Sequence, residues 1–313
     1  MKKQKIIIDT DPGVDDTTAL VFAFFNKKLD IKLISTVSGN VGITKATRNA
    51  CHLLDLFNKD IPVVKGATTA LKHKTQNAEY LHGPEGLGGY IPPKTTIHKP
   101  LGVDAIDKMY EVITQNPNEI TILVLGPQTN VGKLLKKYPD CAPLIKEIVF
   151  MGGSPYDEPG IPLHDSFNIK NDADAFNIVL NSNVKLKMLP SNIGRYKVGL
   201  DEETVQKISK YSDVGKFLSI TYQGYLEPNM LRQDLKVVAT NDTSALFCML
   251  YPKIFETENA NVKVDTKNNV GRTYVDFCKD GKVEVVLNVN KQKFMKKFFE
   301  CLKQLNKIKF NIK

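Results

Sequence analysis

Four carboxylates fall within eight residues near the start of the chain, in IIIDTDPGVDD: Asp9, Asp11, Asp15 and Asp16. The three isoleucines before them predict a buried strand ending at Asp9; Pro12-Gly13 turns the chain, and a helix is expected from near Asp16. All four acids thus crowd the carboxyl end of one strand, the place where open α/β sheets bind ligands. Helix capping accounts for one or two of them, because aspartate before and within a first turn favours the helix dipole. It does not account for four. Two carboxylates about 4 Å apart repel by roughly 4 kcal/mol at an effective dielectric near 20, so a converging set must take up protons or a cation. With no histidine or cysteine beside them, such hard oxygen donors select calcium or magnesium rather than zinc. A fifth acid, Asp242 in VVATNDTSALFCMLYP, stands just before a helical pattern, where a plain N-cap is the competing reading.

The elements that must position these groups alternate. Strands are expected at 5–9, 31–37, 62–64, 121–125, 147–151 and 185–189, with helices at 16–25, 45–57, 103–116, 129–137 and 173–180. That order predicts an α/β fold with a mostly parallel central sheet and helices on both faces. Polar turn residues recur at the same end of the sheet: Gly39-Asn40, Leu125-Gly126-Pro127, Met151-Gly152-Gly153 and Ser191-Asn192. Each alone is an ordinary turn; together they outline a rim. Outside the pattern lie a turn-rich stretch at 66–101, a Gly/Pro/Asn-rich loop at 152–171 and a small antiparallel excursion at 261–289. In the excursion, Asp280-Gly281 joins two alternating runs. With no repeat, low-complexity tract or linker, residues 1–313 read as a single domain.

Bulk properties narrow the function classes. No apolar run approaches the roughly 20 residues of a membrane span, and the N-terminus reads as a strand, not a leader. The cysteines (51, 141, 248, 278 and 301) are odd in number and never spaced as CxxC, which fits a reducing cytoplasm and no zinc or disulfide framework. The net charge of +9 comes almost wholly from lysine; the only arginines are Arg48, Arg195, Arg232 and Arg272. Nucleic-acid sites favour arginine's planar fork, so no nucleic-acid partner is expected. The lysine-rich end, KQKFMKKFFECLKQLNKIKF, reads as an amphipathic surface helix with Phe294, Phe298, Phe299, Leu302 and Leu305 turned inward.

Along essentially its whole length the chain resembles the inosine-uridine preferring nucleoside hydrolase family. DTDPGVDD is that family's opening motif. SGN (38–40), HGPEGLG (82–88), LGPQTN (125–130), MGG (151–153), FNI (167–169) and the segment around Asp242 follow in the family's order. The resemblance implies calcium-dependent hydrolysis of the N-glycosidic bond of nucleosides, in nucleotide salvage, by a homodimer or homotetramer. It implies Asp11, Asp16, Asp242 and the Leu125 carbonyl as calcium ligands. It places Asp15, Asn40 and Asn168 on the ribose hydroxyls, Asp11 as general base for the metal-bound water, and His82 near the base. Cleavage of a ribosyl C–N bond passes through an oxocarbenium-like state, as in glycoside hydrolysis, and carboxylates stabilise its positive charge.

Three departures stand out. The family's histidine before the last metal-binding aspartate is Asn241 here, and an amide cannot donate a proton as imidazolium can. Two groups that hold the ribose 5′-hydroxyl in the family are Gly160 and Ser166, in GIPLHDSFNI, with His164 and Asp165 close by. Tolerance of, or preference for, a sugar altered at the 5′ position is the expectation that follows. There is no tryptophan, so Tyr222 and Tyr225 are the candidates to flank the base. Two rivals remain open at this point. A nucleoside- or ribose-binding protein could have kept the metal site without turnover. A magnesium-dependent aspartate-nucleophile phosphatase could use the Asp9–Asp11 pair, although Gly13 stands where it needs Thr or Val.

Overall fold

The computed structural model describes residues 2–155, 166–233 and 236–309. Among them, nine strands form one sheet: β1 (Gln4–Thr10), β2 (Leu29–Thr36), β3 (Val63–Lys65), β4 (Ile120–Val124), β5 (Glu147–Met151), β6 (Leu186–Leu189), β7 (Phe255–Val264), β8 (Thr273–Phe277) and β9 (Val283–Val289). Their order is β3-β2-β1-β4-β5-β6-β9-β7-β8. The pairs from β3 through β9 are parallel; β7 runs antiparallel to both β9 and β8. The strand order reverses at β1, which has β2 on one side and β4 on the other, so its carboxyl end opens onto the switch-point crevice.

The helices are α1 (Val14–Phe25), α2 (Ile43–Leu56), α3 (Glu79–His82), α4 (Ala105–Thr114), α5 (Thr129–Lys137), α6 (Phe167–Asn171), α7 (Ala173–Leu180), α8 (Glu202–Ser209), α9 (Asp213–Gln233), α10 (Asn241–Leu250) and α11 (Lys291–Gln304). They cover both faces, which is why the strands are continuous apolar runs. Along β1, Ile6 and Ile8 join the core on one face with Leu20, Leu53, Phe217 and Phe247. Ile7 joins the other with Met109, Ile122, Leu134 and Phe176. On α11, Phe294, Phe298, Leu302 and Leu305 are buried as expected and Phe299 is half-buried. No helix among the described residues is long and apolar enough to cross a membrane.

Two local expectations are corrected. Asp280-Gly281 does join β8 to β9, but the two strands do not pair, because β7 lies between them. Ala260 of β7 is partnered by Phe277 on one side and Val283 on the other, and the connection crosses over it. A Cβ on Gly281 would come within 2.5 Å of the Ala260 backbone, so glycine permits the crossing. The described end of the 152–171 loop is the short helix α6, and α8 and α9 fill a stretch with no expected element. Gly160, His164 and Asp165 lie outside the described residues.

Candidate active site

The floor of the site is the turn from β1 into α1. Asp9 is fully buried and its Oδ1 accepts from Ser35 Oγ at 2.5 Å and from Asn130 Nδ2 at 2.7 Å. Asn130 also donates to Thr36 O and accepts from Ala67 N, tying β1, β2 and the following loop together. Asp9 is therefore a strut. A phosphatase nucleophile must reach solvent, and this carboxylate does not. Asp16 is held at both oxygens: Oδ1 accepts from Thr10 Oγ1 at 2.5 Å, and Oδ2 from Gly13 N at 3.0 Å and Asn40 Nδ2 at 2.9 Å. Asp11 Oδ2 accepts from Asn40 N at 2.6 Å. Gly39 and Gly126 flank this carboxylate so closely that a Cβ would lie 2.0 Å from Asp11 Oδ2 or 2.7 Å from Asp11 Oδ1.

Asp15, Asp16 and Asp242 each present an oxygen, all within 4.8 Å of one another and all buried. Asp15 takes the place expected for Asp11 in this tightest group; one Asp11 oxygen is drawn aside by the Asn40 amide. Asp11 still belongs electrostatically, since Asp15 and Asp16 both raise its pKa after burial has done so. Burial, then Asp16, lifts Asp15 to about 7. Burial, then Asp15, Asp16 and Asp11, lift Asp242 well above the carboxylate range. Asp242 is not an N-cap: that position is Thr240, and Asp242 lies within the first turn of α10. Asp11 Oδ1 and Asp242 Oδ1 are buried without a hydrogen-bond partner among the described residues. Such a set, all oxygen and mutually repelling, fits a hard dication. The Leu125 carbonyl accepts from Asn168 Nδ2 at 2.5 Å and keeps a second lone pair.

Above this floor is a cleft of about 270 Å³, room for one small organic molecule. The lining includes the acidic and amide groups Asp15, Asn40, Asn168 and Asp242 with Leu125, and also His82, Ser166, Tyr225 and Asn241. His82 Nδ1 accepts from Val14 N at 3.1 Å, which fixes the neutral tautomer with its proton on Nε2. Burial lowers its pKa to about 3. Its ring stands edge-on to Tyr225 at 5.3 Å. Ser166 Oγ and Asn241 Oδ1 are buried and unpartnered among the described residues. Tyr222 is not where it was expected. It is 1 % exposed, its hydroxyl is bonded to Thr18 Oγ1 at 2.6 Å, and it does not line the cleft; Tyr225, about one turn further along the same side of α9, does.

The cleft also holds Ser191 of the expected rim, and residues not singled out in the sequence as site candidates: Arg195, Gln76, Asn77 and Tyr80. Arg195 lies in a π-helical turn, Ile193–Lys197, directly after β6. The signal for it was its position three residues beyond the Ser191-Asn192 turn at the same rim, and π turns gather at functional sites.

Fold and site together define an α/β enzyme with an oxygen-lined, carboxylate-floored cleft at the switch point of its sheet. The chain belongs to the inosine-uridine preferring nucleoside hydrolase family, whose model matches residues 6–296, and is accordingly an N-glycosyl hydrolase. It is 32% identical over 303 residues to the non-specific ribonucleoside hydrolase RihC of Escherichia coli, covering 95% of this chain and 97% of that one. It is 34% identical over 274 residues to its counterpart in Salmonella newport, covering 87% of each. Among solved structures, a purine-preferring ribonucleoside hydrolase from Gardnerella vaginalis superposes with a TM-score of 0.89 at 26% identity, covering 97% of this chain and 100% of that one. A plant nucleoside hydrolase superposes with a TM-score of 0.88 at 27% identity, covering 96% and 99%.

Proposed function

We propose that this chain is a calcium-dependent ribonucleoside hydrolase that releases free base and ribose. The observation that carries the reading is the buried cluster of Asp15, Asp16 and Asp242, with Asp11 Oδ1 and Asp242 Oδ1 unpartnered beneath a cleft lined by Asn40 and Asn168. Calcium accepts six to eight oxygens in flexible geometry, whereas magnesium demands a near-ideal octahedron and keeps its waters. The crowd of carboxylates beside the Leu125 carbonyl suits the former. A dication held by Asp11, Asp16, Asp242 and that carbonyl, with Asp15 alongside, would neutralise the floor, grip the sugar's vicinal hydroxyls and acidify water.

The chain's own residues would then do the following. Asp15, Asn40 and Asn168 hold the 2′- and 3′-hydroxyls. Asn40 spends its Nδ2 on Asp16 and Asn168 its Nδ2 on Leu125 O, so each offers its Oδ1 to a hydroxyl donor. Asp11 Oδ1 takes the proton of the water that attacks the anomeric carbon. The carboxylate floor stabilises the positive charge that develops on the ring. Ser166 and Tyr225 bound the rest of the substrate, and His82 offers Nε2–H to the base as a neutral donor. The continuous nine-stranded sheet supports a single domain. Cytoplasmic salvage by a homodimer or homotetramer completes the proposal.

The test is a reducing-sugar assay over purine and pyrimidine ribosides with and without a chelator. Release of ribose that stops on chelation and returns with calcium is expected. Full activity in metal-stripped protein, or riboside binding without base release, overturns the proposal.

A further inference from the structure

We infer that Arg195 is the leaving-group residue of this enzyme: its guanidinium stabilises the departing base as an anion, without transferring a proton. The inference rests on the hydrolase reading above. Arg195 lines the cleft, and its Nε is buried with no hydrogen-bond partner among the described residues. It lies within electrostatic reach of Asp15 on the floor and of Tyr225 on the wall. Tyr225 in turn packs edge-on against His82 and interacts with Tyr80, so one cation stands beside an aromatic group that suits a flat base. Gly194 brings the turn hard against α10: a Cβ there would lie 2.5 Å from Asn241 Cα. Arg195 is thereby held next to Asn241, which itself lines the cleft.

The groups around it leave that task open. His82 already uses Nδ1 to accept from Val14 N, so it offers one neutral N–H. Asn241 is an amide, and Lys170, the other cation of the lining, is exposed at the mouth. When the C1′–N bond breaks, its electron pair goes to the base nitrogen, and the negative charge spreads over the ring nitrogens and carbonyl oxygens. A planar guanidinium presents several donors to such acceptors and stays charged throughout the working pH range. The attacking water adds to C1′ and gives its proton to a carboxylate; the base anion takes a proton from solvent after it leaves. Atoms and charge balance with no further acid.

The test compares wild type, Arg195→Gln and Arg195→Lys on inosine, uridine and a series of substituted phenyl ribosides that includes 4-nitrophenyl riboside. Removing one donor aimed at developing charge costs roughly 10²–10³ in rate. R195Q should lose about that much in kcat/KM on inosine and uridine, but less than about tenfold on 4-nitrophenyl riboside, whose leaving group carries its own charge. Across the phenyl series, the dependence of log kcat/KM on leaving-group basicity should steepen in R195Q. R195K should recover part of the loss, and added guanidinium should partly rescue Arg195→Ala on uridine. Equal losses on every substrate would mean that Arg195 acts through Asp15 or the fold, and would overturn the inference alone, as would unchanged rates on uridine. A wild-type protein that releases base from no riboside overturns the functional reading and this inference with it.

Discussion

The two sides of the cleft are built on different terms. The floor is over-determined: Asp9, Asp11 and Asp16 accept from Ser35, Asn130, Asn40, Thr10 and Gly13, so their carboxylates are fixed before any ligand arrives. The wall above it carries uncharged or cationic polar atoms with nothing to bind among the described residues, Ser166 Oγ, Arg195 Nε and Asn241 Oδ1, whereas the floor's unpartnered atoms, Asp9 Oδ2, Asp11 Oδ1 and Asp242 Oδ1, are carboxylate oxygens. Buried polar groups are nearly always satisfied, and an orphan costs about 1–3 kcal/mol. The floor's cost is charge repulsion, relieved by a cation; the wall's cost is missing hydrogen bonds, relieved by a substrate. Binding of metal and of substrate thus answer two separate deficits in one cavity.

The largest effect should come from breaking the floor. Asp242→Asn removes one carboxylate of the cluster with almost no change of shape. It should lower kcat/KM on ribosides by roughly 10³ or more, while raising the Tm of chelated protein, because a buried carboxyl that must otherwise take up a proton or repel its neighbours is gone. Loss of activity together with a lower chelated Tm would show that Asp242 holds the fold and not the ion.

The contrast sharpens with pH. In metal-free protein Asp15 sits at about 7, above its ordinary 3.8, so between these values the native state holds the extra proton. Its contribution is present below about 4 and is lost as pH rises through 7. His82 works the other way. Its pKa falls from 6.5 to about 3, so its contribution is present above 6.5 and is lost as pH falls toward 3. Each group can tilt stability by up to about 1.4 kcal/mol per pH unit within its window. Thermal melts of chelated protein should fall off on both sides. Asp15→Asn should flatten the alkaline side and His82→Asn the acid side; if either variant leaves its limb unchanged, the assignment for that side fails. Calcium should restore stability increasingly as pH rises through 7, where Asp15 gives up its proton.

A smaller loss is expected from the residue that orients the floor. Asn40→Ala removes the Nδ2 donor to Asp16 Oδ2 while keeping the backbone N–H that serves Asp11. Partners behind metal ligands typically account for 10–100-fold in metal affinity. Calcium titrations should therefore shift by that factor, with the substrate ranking unchanged. An altered ranking at saturating calcium would place Asn40 in specificity instead.

The same division decided what could be read from the chain. Most of the floor is contiguous: IIIDTDPGVDD puts a strand, a turn and four acids into one segment, with Asp242 added from α10, and the parallel order of β1 to β6 follows from alternating patterns that local rules capture. The wall is assembled from 76–82, 166–170, 191–195 and 225, segments that meet only in the fold. Tyr80 is an ordinary residue type in ordinary spacing, so nothing local marks it, and Arg195 is marked only by its nearness to the Ser191-Asn192 turn. Helix α9 was hidden for a related reason: Gly215, Gly224 and Pro228 interrupt it, and its apolar residues face more than one neighbour. The β7 crossover at Ala260 was beyond local reading too, since a turn dipeptide predicts that the chain reverses, not which strand receives it. Among the aromatic candidates, spacing could not tell Tyr222 from Tyr225, which differ by one helical turn and by whether Thr18 or the cleft meets the hydroxyl.

That pair gives the finest test of the boundary between wall and core. Tyr222→Phe deletes a hydrogen bond inside the core and leaves Thr18 Oγ1 without its tyrosine partner. The expected cost is about 1 kcal/mol of stability, read as a drop of a few degrees in Tm, with kcat/KM unchanged for purine and pyrimidine ribosides alike. Tyr225→Phe should do the reverse: its hydroxyl belongs to the cleft wall, so KM should change by a few fold while Tm holds. Should Tyr222→Phe move the substrate ranking more than Tyr225→Phe does, the base lies against an earlier turn of α9, and the wall drawn from His82, Tyr225 and Arg195 must be redrawn around it.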